Sequence, residues 1–169
     1  YLASLFAPDD RRPHLLALYA FDLEIARISK LVSEPHIGLI RQQWWLDSLD
    51  GIYEGTVPSH PVAEALARAI AFAGLPKHAL RNLIMAREFD LYSEPMPDVE
   101  ALETYLGETS SAVIQLASLI LAGQEARGSA EAAGLAGVAY GLALLLHETP
   151  PRHLPPGMDR AAAVRHARQ

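Results

Sequence analysis

ALYAFDLEIARISK, residues 17–30, is the stretch of sequence that decides the fold. Its apolar side chains recur at helical spacing. Upstream, Pro13 suits the first turn of a helix, where a missing N–H costs nothing. Downstream, the run Ser33-Glu34-Pro35 interrupts the pattern. The sequence therefore predicts a helix from Pro13 to about Val32.

Proline and glycine divide the rest of the chain into further helices. Asp98 is expected to cap the fifth of them, because its carboxylate accepts a bond from a free helix N–H. Gly134, Gly137 and Gly141 would let the sixth helix approach a neighbour closely. Short connections between helices predict an all-α antiparallel bundle. The predicted helices cover residues 13–32, 37–54, 61–73, 76–92, 99–122 and 129–146, with a short arginine-rich helix after the prolines near residue 155.

Composition indicates one globular domain, residues 1–169, because half of the residues are apolar and a fifth are charged. The net charge is −6 and the 14 Lys and Arg are scattered, so a nucleic-acid-binding face is not expected. There is no cysteine to form a disulfide or a thiolate metal site.

The start of the chain has no signal-peptide pattern, and a cytoplasmic location is expected. The weakly polar run 132–146 is shorter than the roughly 20 apolar residues that span a bilayer, so it is predicted to be a buried helix. Peripheral contact with a membrane stays open.

Six short segments resemble, in order, those of the squalene/phytoene synthase family. The likeness extends from Leu5 to about Glu148, and it implies an isoprenoid-synthase-type helical bundle. Family domains continue with further core helices after this point, so the bundle is expected to be incomplete at its C-terminal side. The segments are LYAF at 18–21, Trp44 and Trp45 with Tyr53 and Gly55, HPV at 60–62, Leu75-Pro76, REFDLY at 87–92, and Tyr105 with Ser110, Ser111 and Gln115.

The patterns AREFDLY at 86–92 and YLGETSSAVIQLA at 105–117 resemble a divergent subgroup of that family found in alphaproteobacteria. The subgroup is similar to the mitochondrial factor needed for assembling respiratory complex I. This resemblance implies respiratory-chain proteins as partners and a place at the inner membrane.

The family reaction ionises a prenyl diphosphate, and Mg²⁺ held by aspartates on two facing helices stabilises the leaving group. On the first helix, the family's aspartates fall on Ala26, Arg27 and Lys30, and a family arginine falls on Leu23. None of these side chains is a magnesium ligand.

On the second helix, the family motif falls on Leu144, His147, Glu148 and Arg152, of which only Glu148 keeps an oxygen ligand. The matched loss predicts a protein without cofactors that has lost prenyl transfer and serves in binding or in assembly of a respiratory complex. The alternative is an active transferase that joins two prenyl diphosphates head to head and requires Mg²⁺. A helical module without a small-molecule site is the third interpretation.

Several residues are candidates for the pocket because of their family positions. Tyr19 and Phe21 would line it or lie in the core, and the same choice stays open for Tyr105. Gln115 needs a polar partner if buried, either another helix or a lipid-like ligand such as a prenyl diphosphate. The full set is Tyr19, Phe21, Arg27, Lys30, Tyr105, Gln115 and Glu148.

Two further groups of charged residues carry weaker signals. Asp47, Asp50 and Glu54 share one face of the second helix and are the candidates for a relocated metal site, although such stripes are usually solvated. Arg87 and Asp90, at i and i+3, are predicted to form a structural ion pair and not a catalytic one.

Overall fold

The protein is all-α in a computed structural model that describes residues 2–92, 94–147 and 153–167, and no strand occurs in these ranges. The predicted helical bundle is confirmed. Short 3-10 turns cover Leu2–Phe6, Arg87–Leu91 and Gly123–Ser129. The helices are α1 (Arg12–Leu31), α2 (Pro35–Tyr53), α3 (Pro61–Ala73), α4 (Lys77–Ala86), α5 (Val99–Leu106), α6 (Ala112–Ala122), α7 (Ala130–His147) and α8 (Arg160–His166).

Helix ends follow the local signals in the sequence. A proline occupies the first turn of each of the first three helices. Gly74 ends α3 at φ 62°, a left-handed conformation that glycine adopts without strain. Asp98 caps α5 as predicted, and its Oδ1 accepts a bond of 2.8 Å from the N–H of Ala101.

Two predicted helices are interrupted in the structure. The fourth ends at Ala86 and continues as the 3-10 turn Arg87–Leu91. The fifth contains a π-turn, Gly107–Ser111, between α5 and α6. That turn lies where α7 comes closest, since a Cβ placed on Gly137 would stand 2.2 Å from the Cα of Ser111. Local sequence does not specify either irregularity, because both depend on contacts with distant helices.

The continuous rod of α5 and α6 runs antiparallel to both α1 and α7. At one end, Arg11, the residue just before α1, donates to the carbonyl oxygen of Ile120 over 3.2 Å. On the other flank, Gly137 faces Ser111 and Gly141 faces Leu106. Consequently α1 and α7 run parallel to each other on either side of this rod.

The core consists of two clusters. The larger cluster contains residues of the first four helices and of α6. In it, the fully buried Phe21 contacts Trp45 edge-on, with 5.4 Å between the ring centroids. The smaller one joins α5, α7 and α8 around Leu102 and Leu142. Edge-on contacts between aromatic rings stabilise a core beyond the burial of apolar area alone.

Two stretches, Val99–Ala122 and Ala130–His147, have the length and apolar composition that would allow a helix to cross a membrane. In the first, 44% of the apolar window is buried. In α7, Leu142 and Leu146 are buried, but Leu135 and Tyr140 are more than half exposed and Leu144 is 47% exposed. Helix α7 corresponds to the sixth helix predicted from the sequence, and the prediction that it is buried is correct for one of its faces only.

Candidate functional site

A cavity of about 840 Å³ separates α1 from α7. The turn after α4 and the side chain of Tyr105 complete its wall. Apolar and charged side chains share the lining, as in pockets that hold small molecules. The lining residues are Asp22, Leu23, Ala26, Ser29, Lys30, Arg87, Asp90, Tyr92, Tyr105, Leu144, Leu145, His147 and His153.

The two altered family motifs meet across this cavity. Ala26 and Lys30 line it from α1, and Leu144 and His147 line it from α7. Arg27 is not among the lining residues and forms an ion pair with Glu24 at 3.3 Å. Of the two cationic candidates on α1, Lys30 therefore lines the cavity and Arg27 does not.

A network of hydrogen bonds crosses the cavity wall. The hydroxyl of Tyr105 donates to Asp90 Oδ1 over 2.7 Å and accepts a bond of 2.9 Å from Arg87 Nη1. The same Nη1 donates to Asp90 Oδ2 over 3.3 Å, which confirms the predicted pair, and Nη2 reaches Asp22 Oδ1 over 3.4 Å. One guanidinium therefore holds two carboxylates and a phenol.

Burial and charge shift the pKa values of this network. Burial raises the pKa of Asp22, and the nearby Arg87 offsets part of that shift. Burial also raises the pKa of Tyr105, so its hydroxyl stays protonated and donates to Asp90. For Arg87, burial opposes the charge, but Tyr105, Asp90 and Asp22 together raise the pKa of the guanidinium above its ordinary value.

His153 belongs to the same wall and was missed in the sequence. Its side chain is 8% exposed, its Nε2 lies 3.8 Å from Asp90 Oδ1, and its ring meets Phe89 edge-on at 5.1 Å. Among the described residues its Nδ1 has no hydrogen-bond partner. No spacing signal marks this histidine, because it lies in an irregular segment beyond α7.

Other candidate residues lie elsewhere. Tyr19 and Phe21 do not line the cavity; Tyr19 is 37% exposed and Phe21 is in the core. Gln115 donates from Nε2 to the carbonyl oxygen of Ala126 over 3.5 Å, while its buried Oε1 has no partner in the described part of the chain. Glu148 lies outside the described residues.

The carboxylates in the described ranges do not fit a magnesium cluster. No group of three His, Asp or Glu in those ranges is arranged to hold a metal ion. In the cavity wall, Asp22 and Asp90 are bound to Arg87, and a guanidinium at that place would repel a cation.

The weaker candidates on α2 are also engaged by protein groups. Asp50 pairs with Lys77 at 3.2 Å and with Arg81 at 2.9 Å, and the bond from Lys77 leads the causes that lower its pKa. Asp47 accepts a bond of 2.7 Å from Gln43. Glu54 lies at the exposed end of the helix.

The chain is similar to a known protein family and to several known proteins. Residues 1–154 match the family model described as squalene/phytoene synthase, so the chain belongs to the squalene/phytoene synthase family. Three similar proteins carry the name NADH dehydrogenase (ubiquinone) complex I, assembly factor 6, or its homolog. They come from Bos taurus (36% identical), Homo sapiens (34%) and Drosophila melanogaster (32%). The matches cover 89% of this chain and 45–46% of theirs, so the chain spans about half the length of these curated relatives.

Proposed function

We propose that this chain is part of a protein that takes part in the assembly of respiratory complex I and does not transfer prenyl groups. Its partners would be subunits or precursors of that complex. Support for the assembly role comes from relatives of 32–36% identity that are named as complex I assembly factors. Support for the loss of prenyl transfer comes from the cavity.

The observation that carries the proposal is the replacement of metal ligands on both sides of one cavity. Ala26 and Lys30 face Leu144 and His147 at the positions where the family holds magnesium. Ionising a diphosphate without bound metal leaves several negative charges without compensation in the transition state. A single lysine would bind such a group but would not stabilise its departure to the same extent.

The cavity suits binding of an amphiphilic anion without metal. Leu23, Leu144 and Leu145 provide apolar wall, and Lys30 and His147 lie together in the last turns of α1 and α7. A volume of about 840 Å³ is within the range of small-molecule sites. We infer a lipid-like ligand with its acidic group at Lys30, bound as a structural or regulatory component of the assembly factor.

Peripheral contact with the membrane belongs to the same proposal. Tyr140 and Leu144 share an exposed face of α7, and Leu144 also lines the cavity. Leu23 on α1, 57% exposed, is on the facing side of the cavity. A bilayer contact here would place the cavity next to a source of lipid.

The test of catalysis is diphosphate release by the complete protein from farnesyl or geranylgeranyl diphosphate with Mg²⁺. We expect no release of diphosphate above the rate without protein. We also expect the protein to bind farnesyl diphosphate in the presence of EDTA, and Lys30→Ala should weaken this binding while the remote variant Arg68→Ala should not. If the protein shows Mg²⁺-dependent turnover, and Asp47→Ala or Glu148→Ala abolishes it, the non-catalytic proposal is overturned and the transferase is favoured.

The test of the assembly role is deletion of the gene followed by measurement of assembled complex I. We expect a loss of the complex that the wild-type gene restores. Asp47→Ala and Glu148→Ala should restore it equally well, because neither carboxylate is needed if no metal is used. Normal complex I content in the deletion strain would contradict the assembly role.

A further inference from the structure

A second groove, of about 550 Å³, shares Tyr105 with the cavity as a lining residue. Phe89, Met96 and Ala101 form its apolar floor, and Asp98, Glu100 and Glu108 stand around it. Ala101 and Thr104 of α5 and Glu108 of the following π-turn are three and four residues apart, so one stripe of this helical segment forms a wall of the groove.

The acidic character of the groove extends to the segment that forms it. Residues 88–126 contain eight Asp and Glu and no Lys, Arg or His. Since the whole chain has a net charge of −6, the remaining residues carry a net charge of +2. The negative charge of the protein is therefore concentrated on the segment that includes α5.

The part of the chain that the structure describes offers the acidic groups around the groove no cationic partner. Asp98 accepts from the N–H of Ala101, and Glu108 Oε1 accepts from Asn82 Nδ2 over 3.4 Å. Within the described ranges, no Lys, Arg or His lies at ion-pair distance from Asp98, Glu100 or Glu108. An apolar floor with unpaired negative charge above it is complementary to a cationic amphiphilic surface.

Elsewhere on α5, Glu103 already contacts a segment of that chemistry. Helix α8, with the sequence RAAAVRH, buries Ala163 in the cluster that contains Leu102. His166 Nε2 of α8 lies 2.8 Å from Glu103 Oε1. A basic segment with small apolar residues thus pairs with an acidic residue of α5 outside the groove.

We propose that the groove is a docking site for a basic, amphipathic segment of a partner protein. A large apolar side chain of the partner enters between Phe89 and Ala101, and flanking Lys or Arg pair with Glu100 and Glu108. Anchor residues in a pocket with charged residues at the rim are the usual division of roles in peptide recognition. The site needs no ligand in the cavity and goes beyond the proposed assembly function.

The first experiment measures binding of a fluorescent amphipathic peptide of leucine and lysine to the complete protein by anisotropy. Two control peptides have glutamate in place of lysine or serine in place of leucine. Hydrogen exchange locates the peptide. We expect binding of the Leu/Lys peptide alone, with protection concentrated in residues 96–108. Absence of binding, equal binding of the serine peptide, or protection confined to α7 would each overturn the proposal.

Variants then separate the groove from general electrostatics. Glu100→Arg with Glu108→Arg should weaken binding about tenfold, as expected for two exposed ion pairs. Glu54→Arg with Glu131→Arg makes the same charge change away from the groove and should alter binding less than twofold. Equal losses in both double variants would contradict a specific site.

Two further variants distinguish other occupants. Ala101→Phe fills the floor and should weaken binding, whereas Lys30→Ala, in the cavity, should leave it unchanged. Thermal unfolding of each variant shows whether it is folded. If the protein is a dimer that Ala101→Phe dissociates, the occupant of the groove is a second copy of this chain and the proposal fails. If phospholipid vesicles compete for residues 96–108, the occupant is a membrane and the proposal fails as well. Neither result bears on complex I content or diphosphate release.

Discussion

At the scale of single residues, Arg87 connects parts of the chain that are far apart in sequence. The i,i+3 spacing was sufficient to predict its pair with Asp90. Asp22 is 65 residues from Arg87, and nothing in either local pattern indicated their contact. A side chain's near neighbours follow from helix geometry, but its distant partners depend on how helices pack.

Replacement of Arg87 by methionine should destabilise the protein by about 3 kcal/mol, because it leaves two largely buried carboxylates without a cation. The side chains of Arg87, Asp90 and Asp22 are 16%, 11% and 27% exposed, so solvent screens them incompletely. Urea unfolding of the complete protein at neutral pH measures the change.

Arg68→Met is the matched control, since Arg68 is exposed on α3, and it should change the free energy of unfolding by less than about 0.5 kcal/mol. Asp90→Asn added to Arg87→Met should cost less than the sum of the single variants. A loss below about 1 kcal/mol for Arg87→Met would show that water replaces the guanidinium.

At the scale of secondary-structure elements, α7 shows what glycine spacing does and does not predict. Three glycines suggested close approach to a neighbour. Gly137 and Gly141 do contact the rod of α5 and α6, but a Cβ on Gly134 would have no atom within 4 Å. The glycine spacing correctly predicted that one face of α7 is closely packed. Which of the glycines make the contact depends on the position of the π-turn.

Gly137→Ala should therefore destabilise the protein by about 1–3 kcal/mol, because the added methyl group meets the backbone of Ser111 and cannot be accommodated by a side-chain rotation. Gly134→Ala, in the same helix, should stabilise it by about 0.5–1 kcal/mol through its higher helix propensity. Thermal or urea unfolding of both variants gives the comparison. Equal effects of the two substitutions would mean that α7 moves away from α6 without cost.

At the scale of the whole molecule, the exposed side of α7 places apolar residues next to the opening between α1 and α7. The sequence indicated only that this helix is apolar. Because the rest of the bundle covers one face of α7, Tyr140 and Leu144 are exposed together on the other face. Exposed apolar patches of this kind mark contacts with proteins or membranes.

Replacing Tyr140 and Leu144 by serine should reduce cosedimentation of the complete protein with phospholipid vesicles at least about fivefold, since burial of apolar area drives such contacts. Stability should change little, because these side chains are exposed. Serine at Ile40 and Met85, which are 67% and 55% exposed on other helices, is the matched control and should leave cosedimentation unchanged. Equal losses in both double variants would contradict a membrane-facing side.

The sequence by itself determined most of the helices and their order, because apolar periodicity, proline and glycine act through local geometry, and its short motifs indicated the family by resemblance. Of the residues at the two altered motifs, the structure brings Ala26, Lys30, Leu144 and His147 to one cavity. Only the tertiary structure decided that Arg87 neutralises Asp22 as well as Asp90, that His153 joins them, and that Phe21 lies in the core. It also decided that α5 forms an acidic groove. The physical reason is that burial, ion pairing and cavity shape arise between helices that are distant in sequence, and their positions depend on packing of the entire bundle.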